Sequence, residues 1–170
     1  IDDAITATQF SPRQTYLAVK RIAALRAAET LLTMSDRTDL AERCQQAAEE
    51  ALSLIERRAW LGDHYAVCIE NEEGGGSDVL VGSPMTHHTP ADWDAYSIYA
   101  SNGLLLPMLS GQPPLLDEQR VRSDITAGIR ENFSRYGCGH TSADPSDIWL
   151  SQNMWRDHIA TYLRVSTVSP

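Results

Sequence analysis

Apolar positions recur along the chain in two alternating patterns. Over residues 13–34, Tyr16, Leu17, Val19, Ile22, Ala23, Leu25, Ala27, Ala28, Leu31 and Leu32 cover most sides of a helical repeat. Only Lys20, Arg21, Arg26, Glu29 and Thr30 are left to meet water. A helix apolar nearly all round is expected to be buried. Over residues 38–58 the pattern narrows to one stripe, Ala41, Cys44, Ala48, Ala51, Leu52 and Ile55, amid Glu42, Arg43, Gln45, Gln46, Glu49, Glu56 and Arg57. That predicts a peripheral helix. Residues 91–109 carry no charge after Asp94 and predict a second buried helix. Over 117–135, Val121, Ile125, Ile129 and Phe133 predict a second outer one. Residues 146–164, with Trp149, Leu150, Met154, Trp155, Ile159, Tyr162 and Leu163, predict a third inner helix. The fold class expected is therefore all-α, with helical hairpins alternating inner and outer.

The connections carry a second signal. Inner-to-outer links are short, Ser35-Asp36-Arg37 and the stretch from Ser110 to Leu116 with Gly111, Pro113 and Pro114 as breakers. Outer-to-inner links are longer, over about residues 59–89 and 136–144. The first holds His64-Tyr65-Ala66-Val67-Cys68-Ile69, a candidate short β element around residues 64–70, followed by Gly74-Gly75-Gly76. The inner helices share a start: Ser11-Pro12, Thr89-Pro90 and Asp144-Pro145 each place a capping side chain before a proline at the first helical position. That alignment predicts that Asp2, Asp3, His87, His88 and His140 gather at the N-terminal rim of the inner layer.

Composition narrows the function classes. The chain has 170 residues with 42% hydrophobic and 22% charged, a globular composition. No apolar run approaches the ~20 residues of a membrane-spanning helix. Fourteen Lys and Arg against 23 Asp and Glu give a net charge of −9, which argues against nucleic acid or another polyphosphate as partner. Cys44, Cys68 and Cys138 form no CxxC pair, so neither a disulfide framework nor a structural metal site is expected. Scattered thiols of this kind favour a reducing, cytoplasmic setting. The opening Ile1-Asp2-Asp3 reads as an internal start, and residues 1–170 as one part of a longer protein.

The chemistry-bearing residues lie in the long links. Between residues 87 and 96 stand His87, His88, Asp92, Trp93, Asp94 and Tyr96. Aromatic faces that pack on a sugar ring, mixed with groups that hold hydroxyls, suit a carbohydrate cleft. A capped helix start with a surface His pair accounts for the same residues. His140 sits in Tyr136-Gly137-Cys138-Gly139-His140-Thr141-Ser142, where glycines allow a tight path that aims the imidazole inward or leaves it on an exposed turn. Trp149 and Trp155 fall on different faces of the last helix, one a candidate for the rim. Asp2 and Asp3 are either solvated or placed for general acid chemistry. There is no GxSxG elbow, P-loop or GxGxxG, and adjacent His side chains diverge too far for a metal pair.

Taken together, the alternating helices resemble part of an (α/α)6 barrel. The sequence is similar to the C-terminal portion of six-hairpin glycosidases, nearest to β-xylosidase-like families. The resemblance rests on Arg13-Gln14-Thr15-Tyr16-Leu17-Ala18-Val19-Lys20 after an acidic segment and on Asp92-Trp93-Asp94-Ala95-Tyr96. Its third element is Gly139-His140-Thr141-Ser142 with Asp147-Ile148-Trp149-Leu150-Ser151. It implies Asp2 as general acid, aligned with the acid of the family's Tyr-Asp-Ser-Leu-Asp-like stretch, although Ile1 replaces the aromatic and Asp3-Ala4-Ile5 the Ser-Leu-Asp. Asp94, in the first turn of an inner helix, is the alternative catalytic carboxylate. Asp3, His87, His88, Trp93, Tyr96, His140 and Trp149 become the substrate-binding rim. No metal or organic cofactor is implied. A second carboxylate would come from an upstream segment or companion chain, at ~5–5.5 Å for retention or ~6.5–9.5 Å for inversion. The competing expectation is a non-catalytic α/α module that binds a sugar or peptide through the same rim. A helical-repeat scaffold is disfavoured because Pro12, Pro90 and Pro145 keep no fixed period.

Overall fold

The computed structural model describes residues 14–66, 68–69, 76–77, 100–112, 115–135, 137–138 and 150–167. These are predominantly α-helical, in the order α1 (Thr15–Met34), α2 (Thr38–Arg58), β1 (Cys68–Ile69), β2 (Gly76–Ser77), a 3-10 turn (Ala100–Leu104), α3 (Leu105–Leu109), α4 (Glu118–Asn132), β3 (Phe133–Ser134), β4 (Gly137–Cys138) and α5 (Leu150–Leu163). The all-α expectation holds. Each strand pair is a two-residue antiparallel rung, Cys68 opposite Ser77 and Phe133 opposite Cys138. The first lies in the link where a short β element was expected.

The α1–α2 hairpin closes as the short Ser35-Asp36-Arg37 link predicts. Asp36 takes a left-handed conformation at φ +56, and the Arg37 N–H reaches back to the Leu32 carbonyl at 2.9 Å. Such a turn satisfies carbonyls left open at a helix end, and a short polar side chain tolerates the conformation it demands. In α2 the buried positions are Ala41, Ala48 and Ile55, seven residues apart along one line, within the stripe seen in the sequence. Arg57 and Arg58 in the last turn and Asp39 in the first complement the helix dipole.

Three expectations are corrected. First, α1 does not start at Pro12: Gln14 is extended (φ −62, ψ 129) and the helix begins at Thr15 with no side-chain cap. Second, the apolar segment 91–109 is not one helix in its described part. Ser101-Asn102-Gly103 are weak helix formers, and Pro107 has no N–H to offer the Gly103 carbonyl, so the chain winds as a 3-10 turn before the five-residue α3. Third, the inner and outer ranks differ from those read in the sequence. Helix α1, expected to be enclosed, buries only Thr15, Val19 and Ile22, while Leu17, Leu31 and Met34 are 52%, 64% and 78% exposed. Helix α4, expected outside, buries Val121, Asp124, Ile125, Ala127, Gly128, Ile129 and Asn132. The reason is packing. Helix α1 lies chiefly against α2 and the 3-10 turn and leaves its far side open. Helix α4 meets the 59–66 segment, the 3-10 turn and α5.

Helix α4 also stops short of residue 135. Phe133 turns extended (φ −74, ψ 131) into β3, half-exposed rather than on the apolar stripe. Its start is well defined: the Asp117 carboxylate accepts the Arg120 N–H at 2.9 Å. An N-cap of this kind contributes about 1 kcal/mol, so Asp117→Ala is expected to lower the unfolding free energy by that amount, read as a lower urea midpoint at unchanged slope. Helix α5 is tied to α4 by Arg122, which donates to the Leu163 carbonyl.

One apolar core joins these elements. Val19 and Ile22 of α1, Ala48 and Ile55 of α2, Leu104, Met108, then Val121, Ile125 and Ile129 of α4 and Ile159, Ala160 and Leu163 of α5 form a continuous cluster. Within it Gly103 sits against α1 so tightly that a Cβ there would lie 2.8 Å from Val19 Cγ1 and 3.1 Å from the Tyr16 carbonyl oxygen.

Candidate functional site

A connected set of polar side chains lies where the end of α2 meets α4. After Arg58 the chain makes a tight reversal. Gly62 takes φ +113, the Leu61 N–H donates to the His64 carbonyl at 3.0 Å, and Trp60 pairs with Tyr65 in an antiparallel bridge. A side chain at Gly62 would strain this turn, because φ in that range suits glycine. The reversal aims Asp63, His64 and Tyr65 at α4.

Glu56 binds the two sides together. Its Oε1 accepts the Tyr65 hydroxyl at 2.9 Å and the Asp117 N–H at 3.1 Å, and its Oε2 accepts from Arg120 at 2.6 Å. Arg120 also donates to the Glu56 carbonyl at 2.7 Å and lies over the Trp60 ring, 5.1 Å from its centroid. Trp60 in turn meets the Tyr65 ring edge-on with centroids 5.0 Å apart. Burial and the neighbouring Glu56 carboxylate hold the Tyr65 phenol above its ordinary range, so it serves as a hydrogen-bond donor.

Deeper in, Asp124 projects from α4 into full burial. Its Oδ1 accepts the Tyr65 N–H at 2.8 Å. Its Oδ2 and the Ser101 Oγ on the 3-10 turn are buried and without a partner at hydrogen-bonding geometry. Burial pushes the Asp124 carboxyl up to about 6, against the opposing pull of the Tyr65 amide, Ser101 and His64. Beside it, Asp63 Oδ1 lies 2.6 Å from His64 Nδ1 and Oδ2 lies 3.3 Å from Arg130. The His64 hydrogen bond, with Arg130 acting the same way, holds the Asp63 carboxyl below its ordinary range. Ser123 completes the junction by donating to the Asp63 carbonyl at 2.7 Å.

Chemically, a carboxyl poised near neutrality beside an imidazole is what acid–base catalysis uses. Asp124, however, is enclosed by three elements and offers no face to a substrate. It is a buried acid inside a structural junction. The sequence signal for it was available: Asp124, Gly128 and Asn132 lie on the same arc of α4 as Val121, Ile125 and Ile129, so one acid stands at a core position. Glu56 had no such signal, since two of its partners, Asp117 and Arg120, are some sixty residues away in sequence.

A second polar group lies at the other end of α4. Arg156, 2% exposed, reaches Cys138 Sγ at 3.0 Å, Asn153 Oδ1 at 3.2 Å and Asp157 at 2.8 Å. Trp155 beside it is half-buried. Among the described residues no group of three or more His, Cys, Asp or Glu is placed to hold a metal ion, and no helix is long and apolar enough to cross a membrane.

The residues singled out in the sequence all lie outside the described residues: Asp2, Asp3, His87, His88, Trp93, Asp94, Tyr96, His140 and Trp149. The elements that follow them in the chain are described. Helix α1 follows the first acidic pair, the 3-10 turn follows the 87–96 stretch, and α5 follows His140 and Trp149. The 3-10 turn packs against both α1 and α5, with Gly103 on Tyr16 and Val19. No family model, no curated protein and no solved structure matches the chain.

Proposed function

We propose that the chain is the C-terminal part of an (α/α)6-type glycoside hydrolase of the β-xylosidase-like kind, acting by paired-carboxylate chemistry. One observation carries this reading: of the three elements that follow the three chemistry-bearing stretches, the 3-10 turn packs against both of the others, α1 and α5. That is the arrangement a shared rim requires. Asp2 is the general acid of this proposal and Asp94 the alternative. Asp3, His87, His88, Trp93, Tyr96, His140 and Trp149 hold the sugar, and further helices, from an upstream segment or a companion chain, cover the open side of α1. The exposed Leu17, Leu31 and Met34 support that last point, because apolar side chains on an uncovered helix face mark a surface that another element fills.

The test is hydrolysis of aryl glycosides by the complete protein with Asp2→Asn and Asp94→Asn introduced separately. Loss of a general acid is expected to reduce turnover of a substrate with a poor leaving group by on the order of a hundredfold or more in one of the two. Near-wild-type turnover in both overturns the assignment. The rival reading, a binding module without catalysis, is favoured instead if sugar binding is measurable and the wild-type protein shows no turnover.

A further inference from the structure

We propose that Asp124 is a protonation-controlled latch that closes α4 onto the 59–66 reversal and the 3-10 turn when its carboxyl is neutral, and loosens that junction when it ionises. The geometry stands apart from the glycosidase reading. Three segments distant in sequence converge on one fully enclosed carboxyl. Its Oδ1 is held by the Tyr65 N–H at 2.8 Å, while Oδ2 and the facing Ser101 Oγ each lack a partner at hydrogen-bonding geometry. A neutral acid has a proton to donate toward that hydroxyl, which rotates to accept it. An ionised one places a charge in a dry junction, and enclosing a charge without a matched partner is costly.

The groups around it do not cancel that charge. From the 59–66 reversal, His64 eases ionisation, but its Nδ1 is engaged by Asp63, which also pairs with Arg130. From α2, Glu56 lies behind Tyr65 and is committed to Arg120. The 3-10 turn presents Ser101 and Asn102, neither of them ionisable; the Ser101 hydroxyl and backbone N–H favour the ionised carboxyl, but by less than its burial opposes it. On α5 the buried charge is Arg156, engaged by Cys138, Asn153 and Asp157. Desolvation therefore dominates, and the folded-state carboxyl titrates near 6 against 3.8 for an unperturbed aspartate. The latch's stabilisation is complete below pH 4 and is lost as pH rises through 6.

The experiment is urea unfolding of the wild-type chain and Asp124→Asn at intervals from pH 4 to pH 7.5. Asparagine keeps an acceptor for the Tyr65 N–H, offers a donor to Ser101 and cannot ionise. The ratio of unfolding constants, wild type over variant, is expected to rise on the order of a hundredfold across that range. A ratio flat within about threefold overturns the latch. Should the variant fail to fold, amide exchange in the wild type decides. Protection of the amides in the 3-10 turn, corrected for intrinsic exchange, falls between pH 5 and pH 7 if the latch exists, and stays constant if it does not. A third variant, His64→Gln, separates Asp124 from the imidazole beside it: the slope survives if Asp124 drives it and vanishes if His64 does, which also overturns the proposal.

Discussion

Gly103→Ala is expected to cost the protein about 3 kcal/mol of stability. The added Cβ would lie 2.8 and 2.9 Å from Val19 Cγ1 and Cβ and 3.1 Å from the Tyr16 carbonyl oxygen. Contacts that short force a shift, and neither neighbour gives easily. Val19 is wholly buried in the core, and Tyr16 meets the glycine with helix backbone. For a chain of this size the cost corresponds to a melting temperature lower by roughly 6–12 °C. The double variant with Val19→Ala separates overpacking from helix propensity. Val19→Ala alone leaves a cavity and costs about 2–3 kcal/mol. Together the two changes should cost less than their sum by about 1 kcal/mol or more, because the second makes room for the first. A Gly103→Ala protein that melts within a degree of wild type would show that the turn does not sit on α1 this closely.

The second large effect is expected at Glu56. Glu56→Ala removes the acceptor of a buried phenol, of the Asp117 amide and of Arg120 in one step. Leaving those donors without their partner costs about 3 kcal/mol, less than a fully enclosed charge pair because Glu56 and Arg120 keep some access to water. Glu56→Gln retains one acceptor oxygen and should lose about half as much. A double-mutant cycle with Arg120→Ala reads the pair directly, and coupling below about 0.5 kcal/mol would mean that the contact is incidental. Because Arg120 also covers Trp60, its own truncation should change the tryptophan emission, whereas Glu56→Gln should change it little.

The helices were legible in the sequence wherever local pattern decides them. The α1–α2 hairpin could be seen from two apolar repeats and a polar link, and the body of α4 from Val121, Ile125 and Ile129. What local pattern could not show was rank. The apolar excess on α1 predicted enclosure, yet burial depends on what stands opposite, and Leu31 and Met34 face away from α2 and the core. Helix α4 was the reverse case: its charged residues drew attention outward while Asp124, Gly128 and Asn132 widened the buried arc. The break at Ser101-Asn102-Gly103 was readable in composition but masked by the long uncharged run around it. The polar junction depends on side chains from distant segments, and only Asp124 betrayed itself by standing among core positions.

The pairs that hold that junction have a bearing on how the chain reaches its folded state. The α1–α2 hairpin needs only a three-residue link and contacts between neighbouring segments, so it is free to form early. Tyr65 with Asp124, Ser123 with Asp63 and Glu56 with Arg120 join residues 59, 60 and 64 positions apart. Closing loops of that length costs entropy before any contact repays it, and such long-range closure slows folding relative to local pairing. Docking of α4 on the end of α2 is thus the natural late event. Substitutions at Glu56 should act mainly by hastening unfolding, while those within the hairpin should slow the first steps of folding.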